Sequence, residues 1–347
     1  MAGRRAAELL AGVVILFAVA GLAFVGLLAA TGQPAGPALA ALWRGSVGSA
    51  DAVVSATLVR ATPLVLAGLA VALAFRAGVL NVGAEGQLLA GAGAAAAAGS
   101  ALAPTLGGAT VVAALAAGVT AGAVWAGIAA WLRRRFGVLE VISTIMLNFV
   151  ALYAVGYLVR GPLQEPTRVY PQSDALPTGA RLPLLLPDTR LHVGLALAVA
   201  AAAGLWWTLR ETAAGFRVRA AGMNPAAAAS AGLVNVPRVT GRAFLASGAL
   251  AGLAGAVEVT GVTFALYENL SPGYGYTAIA VALLANLHPL GVIATGVLFG
   301  ALEAGASAMQ RDAAVPATTV SVVEALLILL VLAAERVRAG RRLRGGA

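Results

Sequence analysis

RETAAGFRVRAAGMNPAAAASAGLVNVPRVTGR, residues 210 to 242, is the longest polar and basic interruption between two strongly apolar segments of this chain. Within it Asn224 suits a helix N-cap, Pro225 the first helical position, Ala226 to Ala231 are helix formers, and Gly232 can close the end. A helix of roughly two turns is therefore predicted outside the bilayer. Its surface is small and smooth, with alanines and Met223 where a solvated loop would carry charge. Two readings follow: a helix shaped to sit in another protein's groove, or an interfacial connector that shields itself among lipid headgroups.

The segments on either side decide the class. Of the 347 residues 60% are hydrophobic and 11% charged, and mean hydropathy is +0.90, whereas soluble domains are roughly a quarter charged. Long continuous apolar runs without strand alternation predict an all-α, polytopic membrane protein. All 23 basic residues are arginine. Without a lysine the phosphate-binding loop of a P-loop ATPase cannot be completed, so this chain is not read as an enzyme. The absence of cysteine removes disulfides and thiolate ligands. His192 and His288 lack a carboxylate cluster at metal-ligand spacing, so no metal and no cofactor is expected in this chain. A formal charge of +9 reads as arginines flanking spans on the cytoplasmic side, with membrane lipid and no nucleic acid as the partner.

Working outward, Arg4 and Arg5 precede an apolar run from Leu9 to Ala30, read as an uncleaved first span. Residues 31 to 50, punctuated by Gly, Pro and Ser, are expected outside. A second span from about Ala52 to Phe75 contains Pro63, which predicts a kink or break. Next, FRAGVLNVGAEGQLLAGAG at 75 to 93 sets Asn81, Glu85 and Gln87 among glycines at the head of an apolar segment reaching about Leu102. Irregular backbone at membrane depth is tolerated only where protein or a water-filled cavity covers it. Glu85 is thus either an intramembrane functional carboxylate or a helix N-terminal residue favoured by the dipole alone.

Thr110 to Leu132 forms a further span, with Gly118 and Gly122 at small-xxx-small spacing and Arg133 to Arg135 at its end. The fifth, from about Val138 to Tyr157, has Glu140 in its first turn and Asn148 near the middle, as helix–helix glue or as a polar group on a pathway. Residues 160 to 190, rich in proline and polar residues, read as an ordered external loop, and His192 to Leu209 as the sixth span. Beyond the opening stretch lie a seventh span, about Ala243 to Phe264, and then two segments, Thr277 to Leu287 and Leu290 to Met309, split by His288 and Pro289. Such short, proline-broken pieces point to a substrate path. A last span from about Pro316 to Ala334 leads into a basic tail, Arg336 to Arg344. The count is about ten transmembrane helices with short broken helices near the path and both termini cytoplasmic. It forms one transmembrane domain over residues 1 to 347, with an external loop at 160–190 and a cytoplasmic loop at 210–242. Residues 58 to 91 and 260 to 300 echo each other, as a repeat or as shared composition.

The combination of ATPLVLAGLAVALAFRAGVLNVGAEGQ (61–87), FGVLEVISTIMLNFVALY (136–153), GFRVRAAGMNPAAAASAG (215–232), SGALAGLAGAVEVTG (247–261) and SPGYGYTAIAVALL (271–284) resembles the permease subunits of bacterial nucleoside and simple-sugar ABC importers. Their superfamily includes the ribose and branched-chain amino-acid permeases. The likeness extends in register from about residue 52 to 334. It implies a transport subunit in the bacterial plasma membrane that carries a small-molecule substrate. A second, homologous permease subunit would complete the pathway, an ATP-binding subunit beneath would bind ATP and magnesium, and an extracellular substrate-binding lipoprotein would deliver cargo. By the same resemblance Gly222, Asn224, Pro225, Ala228 and Gly232 make the ATPase-coupling contact. Asn81, Gly83, Glu85, Gly86 and Gln87 match the family's Asn-x-Gly-x-Glu-Gly-Gln motif near the path, Asn148 its polar fifth-span position, and Tyr274 and Tyr276 its SPGYG(F/Y) motif. Before His288-Pro289, where relatives carry Gly, a basic residue and Asn, this chain has Ala285, Asn286 and Leu287. The alternatives left open are a branched-chain amino-acid or other sugar permease, an ion-coupled secondary transporter using Glu85, Glu258 and Glu303, and a non-conducting scaffold subunit.

Overall fold

The computed structural model describes residues 19, 21–232, 234–316, 318, 319, 322 and 325. The expected first and last spans and the basic tail fall wholly or partly outside these. Among the described residues the chain is helical, with isolated β-bridges and no strand. The helices are α1 (Gly21–Ala30), α2 (Ala35–Ser46), α3 (Leu58–Arg76), α4 (Ala84–Leu106), α5 (Thr110–Phe136), α6 (Glu140–Arg160), α7 (Gly194–Glu211), α8 (Ala213–Met223), α9 (Pro225–Ser230), α10 (Val236–Glu258), α11 (Tyr274–Leu284) and α12 (Pro289–Asp312). Five stretches are long and apolar enough to cross a membrane: Ala52–Arg76, Ala84–Phe136, Glu140–Arg160, Val236–Thr263 and Pro289–Asp312. The second of these is 53 residues long and contains both α4 and α5. A multi-pass membrane protein follows.

Packing gathers into two compact units, one of residues up to 57 with those from 301 onward, the other of residues 58–300. In the first, Phe24, Leu28, Ala38 and Ala41 bury against Met309 and Val315, and the Thr57 hydroxyl donates to the Ser46 carbonyl at 2.7 Å. Within residues 31–50 the chain forms helix α2. The punctuating residues sit where a helix tolerates them, Pro34 at the N-cap and Pro37 in the first turn. Ala38 to Trp43 then propagates the helix, and burial of Ala38 and Ala41 holds it.

The second unit is built around α3, of which Ala61 through Ala74 are all buried. A helix apolar on every side belongs in the middle of a bundle. Pro63 lies inside α3, and a π-helical turn, Ala52–Thr57, precedes it. Against α3 packs a three-helix crossing of α4, α5 and α10, in which backbones touch directly. A Cβ on Gly252 would lie 2.2 Å from the Gly118 carbonyl oxygen, and one on Gly122 2.3 Å from that of Gly248. The small-xxx-small pair on α5 thus meets a second such pair on α10, as the spacing predicted. Helix α10 begins at Val236, seven residues before the expected seventh span, because Asn235 caps it by accepting from the Arg238 amide at 3.1 Å.

The segment between α6 and α7 is ordered by backbone pairing with the end of α10. The amides of Ser173, Leu176 and Leu182 donate to the carbonyls of Leu266, Phe264 and Thr260 at 2.6, 2.7 and 2.8 Å. Glu165 organises its tip. Its carboxylate accepts from the Thr167 hydroxyl and from the amides of Thr167, Val169 and Tyr170. These bonds, that of Thr167 foremost, hold the carboxyl at about 2, below its usual 4.5. A depressed folded-state value stabilises the tip above pH 4.5 and loses that contribution as pH falls towards 2. Amide exchange of Val169 and Tyr170 should accordingly rise as pH drops from 5 to 2.5 once corrected for intrinsic rate; a flat corrected profile, or Glu165→Gln matching wild type at pH 7, would refute the role.

Candidate functional site

The sequence motif at 81–87 begins in the gap between α3 and α4 and runs into the first turn of α4. Helix α4 starts inside the bundle. On α5, Gly118 faces Gly91 of α4, since a Cβ on Gly118 would lie 3.1 Å from the Gly91 carbonyl. The two helices run antiparallel, so Ala84, seven residues before Gly91, is level with Trp125, seven after Gly118. Helix α5 continues eleven residues past Trp125 to Phe136, about 16 Å at 1.5 Å per residue. Helix α10 agrees. Gly91 meets Gly252 and Ala95 meets Ala256, a parallel pairing that sets Ala84 level with Leu245, nine residues or about 14 Å into α10. The segment at 77–83 is therefore non-helical backbone at depth, which requires its polar groups to be satisfied by protein.

They are satisfied by the motif's own side chains. Asn81, fully buried, donates to the Gln87 side-chain oxygen at 2.9 Å and to the Ser247 hydroxyl at 2.8 Å, and accepts from the Gly83 amide at 2.9 Å. Gln87 donates back to Asn81 at 3.0 Å. The Ser247 hydroxyl donates to the Ala70 carbonyl on α3 at 2.6 Å. From α6, Asn148 accepts from the Gly86 amide at 2.8 Å and donates to the Val82 carbonyl at 3.0 Å and to the Tyr276 hydroxyl at 3.3 Å. Glu85, in the first turn of α4, accepts from the Gly275 amide in the first turn of α11 at 2.7 Å. One carboxylate thus lies at the positive ends of two helices, α4 and α11. Glu85 sits at a helix N-terminus and is buried.

The structure thus brings Asn81, Glu85, Gln87, Asn148 and Tyr276 into one connected cluster. Asn81, Gln87 and Asn148 are almost fully buried in it, Tyr274 is buried beside it, and Tyr276 remains 42% exposed. Ser247 and Ser271 were not singled out from the sequence. A serine beside glycine in an apolar helix at a small-residue crossing was the available signal for Ser247. Ser271 accepts from the Tyr274 amide at 2.9 Å and so starts α11.

The corner after α11 is marked in the backbone. Asn286 and Leu287 have φ of 51° and 56°, and the Arg76 guanidinium donates to the Leu287 carbonyl at 2.7 Å. A left-handed conformation costs a leucine roughly 1–2 kcal/mol. Leu287→Asn or Leu287→Gly should therefore raise the thermal midpoint of the purified protein, by about 1 kcal/mol of stability. An unchanged or lower midpoint would show that the leucine side chain contributes as much as its backbone costs.

Residues 210–242 form α8, α9 and the head of α10. As predicted, Asn224 caps α9, accepting from the Ala227 amide at 3.0 Å, Pro225 is its first residue, and Gly232 follows with φ of 70°. Two of the five residues assigned to the ATPase contact face inward. Ala228 is buried with Ala221 and Val234, because a six-residue helix must bury one face to persist. Gly222 lies against the α3–α4 corner, where a Cβ would come within 2.0 Å of the Arg76 carbonyl. Met223, 86% exposed, and Asn224, Pro225, Ala226, Ala227 and Ala229 form the outward surface.

Comparison with known proteins agrees with this architecture. Residues 53–332 match the family model described as branched-chain amino acid transport system / permease component. The chain is 40% identical over 292 residues to the glucose ABC transporter permease protein TsgB13 of Haloferax volcanii, covering 80% of this chain and 75% of that one. It is 38% identical over 308 residues to the guanosine ABC transporter permease protein NupP of Bacillus subtilis, covering 86% of each. It is 30% identical over 304 residues to the nucleoside ABC transporter permease protein NupB of Lactococcus lactis, covering 84% of this chain and 81% of that one. No solved structure matches. This helical membrane chain, matched over four fifths of its residues, belongs to the permease-component family of ABC transporters typified by the branched-chain amino acid transport system.

Proposed function

We propose that this chain is the membrane subunit of an ABC importer for nucleosides or simple sugars, coupled to a separate ATPase through α8 and α9. The observation that carries the reading is the physical continuity between the capped alanine helix and the polar cluster. Helix α9 is seated on α8 by Ala228, α8 rests on the Arg76–Gly78 corner through Gly222, and three residues further along that segment is Asn81. Displacing α9 moves the segment that starts α4. The relatives named for guanosine, nucleoside and glucose transport supply the cargo classes.

In this reading the arginine-bearing end, with Arg133 to Arg135, Arg217 and Arg219, faces the cytoplasm, about ten spans cross the bacterial plasma membrane, and both termini are cytoplasmic. A homologous second permease subunit completes the pathway, a lipoprotein delivers the substrate, and the ATPase holds ATP and magnesium. Asn81, Gln87 and Asn148 hold the interrupted helix in shape, while Tyr276 and Glu85, at the meeting of α4 and α11, border the path. Rocking between inward and outward states requires contacts that differ between them, since equal affinity shifts nothing.

Asn224→Arg removes the cap of α9, worth about 1 kcal/mol, and places a charge on its smooth face. In the reconstituted complex, substrate-stimulated ATP hydrolysis is expected to fall at least tenfold while the permease pair still assembles, an effect of about 1.4 kcal/mol or more on coupling. Undiminished stimulation would remove the coupling assignment.

A further inference from the structure

A cavity of about 800 Å³ opens at the arginine-bearing end between the last turns of α5 and the first turns of α10. Its lining includes Arg134, Arg135, Arg238 and Arg242 with Trp131 and Leu245. All six are exposed, Trp131 by 57% and Leu245 by 41%. Arg133, beside Arg134 in the chain, pairs with Glu140 at 3.1 Å. Among the described residues no carboxylate pairs with any of the other four.

We propose that this cavity binds an anionic phospholipid, its phosphodiester held by the four guanidinium groups and its acyl chain lying along the apolar part of the lining. Arginine supplies bidentate donors of the geometry a phosphate accepts, and a tryptophan in the lining suits the headgroup layer. Basic pockets between membrane helices bind anionic headgroups by this arrangement. The apolar part of the lining selects the lipid over an acidic protein surface. Beside the arginines the cavity is lined by Gly127, Ala130, Trp131 and Leu245, one turn past Arg242, which offer an acyl chain a surface to lie on. Met223 and the alanines of α9 take no part in its lining. The inference goes beyond transport, and assigns the chain a lipid-headgroup requirement.

The test uses the complete chain, purified in detergent and exchanged into nanodiscs of phosphatidylglycerol or of phosphatidylcholine, with bound lipid counted by native mass spectrometry. Wild type should retain phosphatidylglycerol and not phosphatidylcholine. In Arg238→Gln/Arg242→Gln, retention should weaken on the order of thirtyfold, about fivefold for each arginine removed near a membrane surface. Arg217→Gln, outside the cavity, should retain lipid as wild type does and reports that the fold survives charge removal. Equal retention in the double variant would overturn the proposal. So would displacement of the lipid by glycerol 3-phosphate at equal concentration, which would show a site for free phosphate. Loss of the ATP-binding subunit from the double variant with lipid retained would instead assign the arginines to that subunit. The ATPase-coupling result for Asn224→Arg is independent of every lipid readout, so the two readings fail separately.

Discussion

Gly255→Leu is expected to leave almost no assembled protein in the membrane. A Cβ at Gly255 would lie 1.9 Å from the Leu88 carbonyl oxygen and 2.9 Å from the Ala92 amide nitrogen. Both are backbone atoms within α4, so no side-chain rotation relieves the overlap. Helix α10 would have to move away from α4, and that opens the neighbouring contacts at Gly91, Gly118, Gly122, Gly248 and Gly252 together. Overpacking a tight interior costs roughly 1–3 kcal/mol even where side chains can adjust. A backbone obstruction shared by three helices exceeds that range and falls among the exceptional losses of more than about 4 kcal/mol. The readout is the yield of monodisperse full-length protein after detergent extraction. Gly204→Ala is the matched control: a Cβ at Gly204 meets nothing within 4 Å, and alanine in a helix interior gains up to about 1 kcal/mol over glycine. Normal yield from Gly255→Leu would mean that the crossing is looser than the backbone contacts require.

The second large effect is expected at Asn148. Asn148→Leu keeps the volume and removes three hydrogen bonds, leaving the Gly86 amide and the Val82 carbonyl without their partner. Each orphaned buried group costs roughly 1–3 kcal/mol, and at membrane depth water does not compensate. The start of α4 should loosen, and uptake by the assembled transporter should fall at least tenfold, with a lowered thermal midpoint. Asn148→Asp retains an acceptor for Gly86 and loses the donor to Val82 and Tyr276, so its loss should be intermediate. If Asn148→Leu transports and melts as wild type does, the cluster is not what holds the interrupted helix.

How much of this was legible in the residues differs from element to element. The capped helix at 225–230 could be read locally, because Asn, Pro, an alanine run and Gly act through neighbours along the chain. The Gly118 and Gly122 pair announced a close contact but not its partner, since spacing describes one helix face and the partner is 130 residues away. The helix at 35–46 was not singled out from the sequence. Pro34 and Pro37 punctuate a helix start as readily as a loop, and burial of Ala38 and Ala41 settled the matter. The polar motif at 81–87 was visible as an anomaly, yet its hydrogen bonds to Ser247, Asn148 and Gly275 join residues 62 to 190 positions apart.

By itself the sequence determined that the chain is helical, that it lives in a membrane, and that it has no lysine with which to bind ATP. Those properties are sums over composition and local periodicity, and need no knowledge of neighbours. Only the tertiary structure decided that α4 begins deep in the bundle, that Gly222 and Ala228 face inward while Met223 faces out, and that four arginines from two helices share one cavity. Each of these depends on which helix lies beside which and at what height, and that is settled by close packing of glycine backbones that spacing alone leaves unmatched.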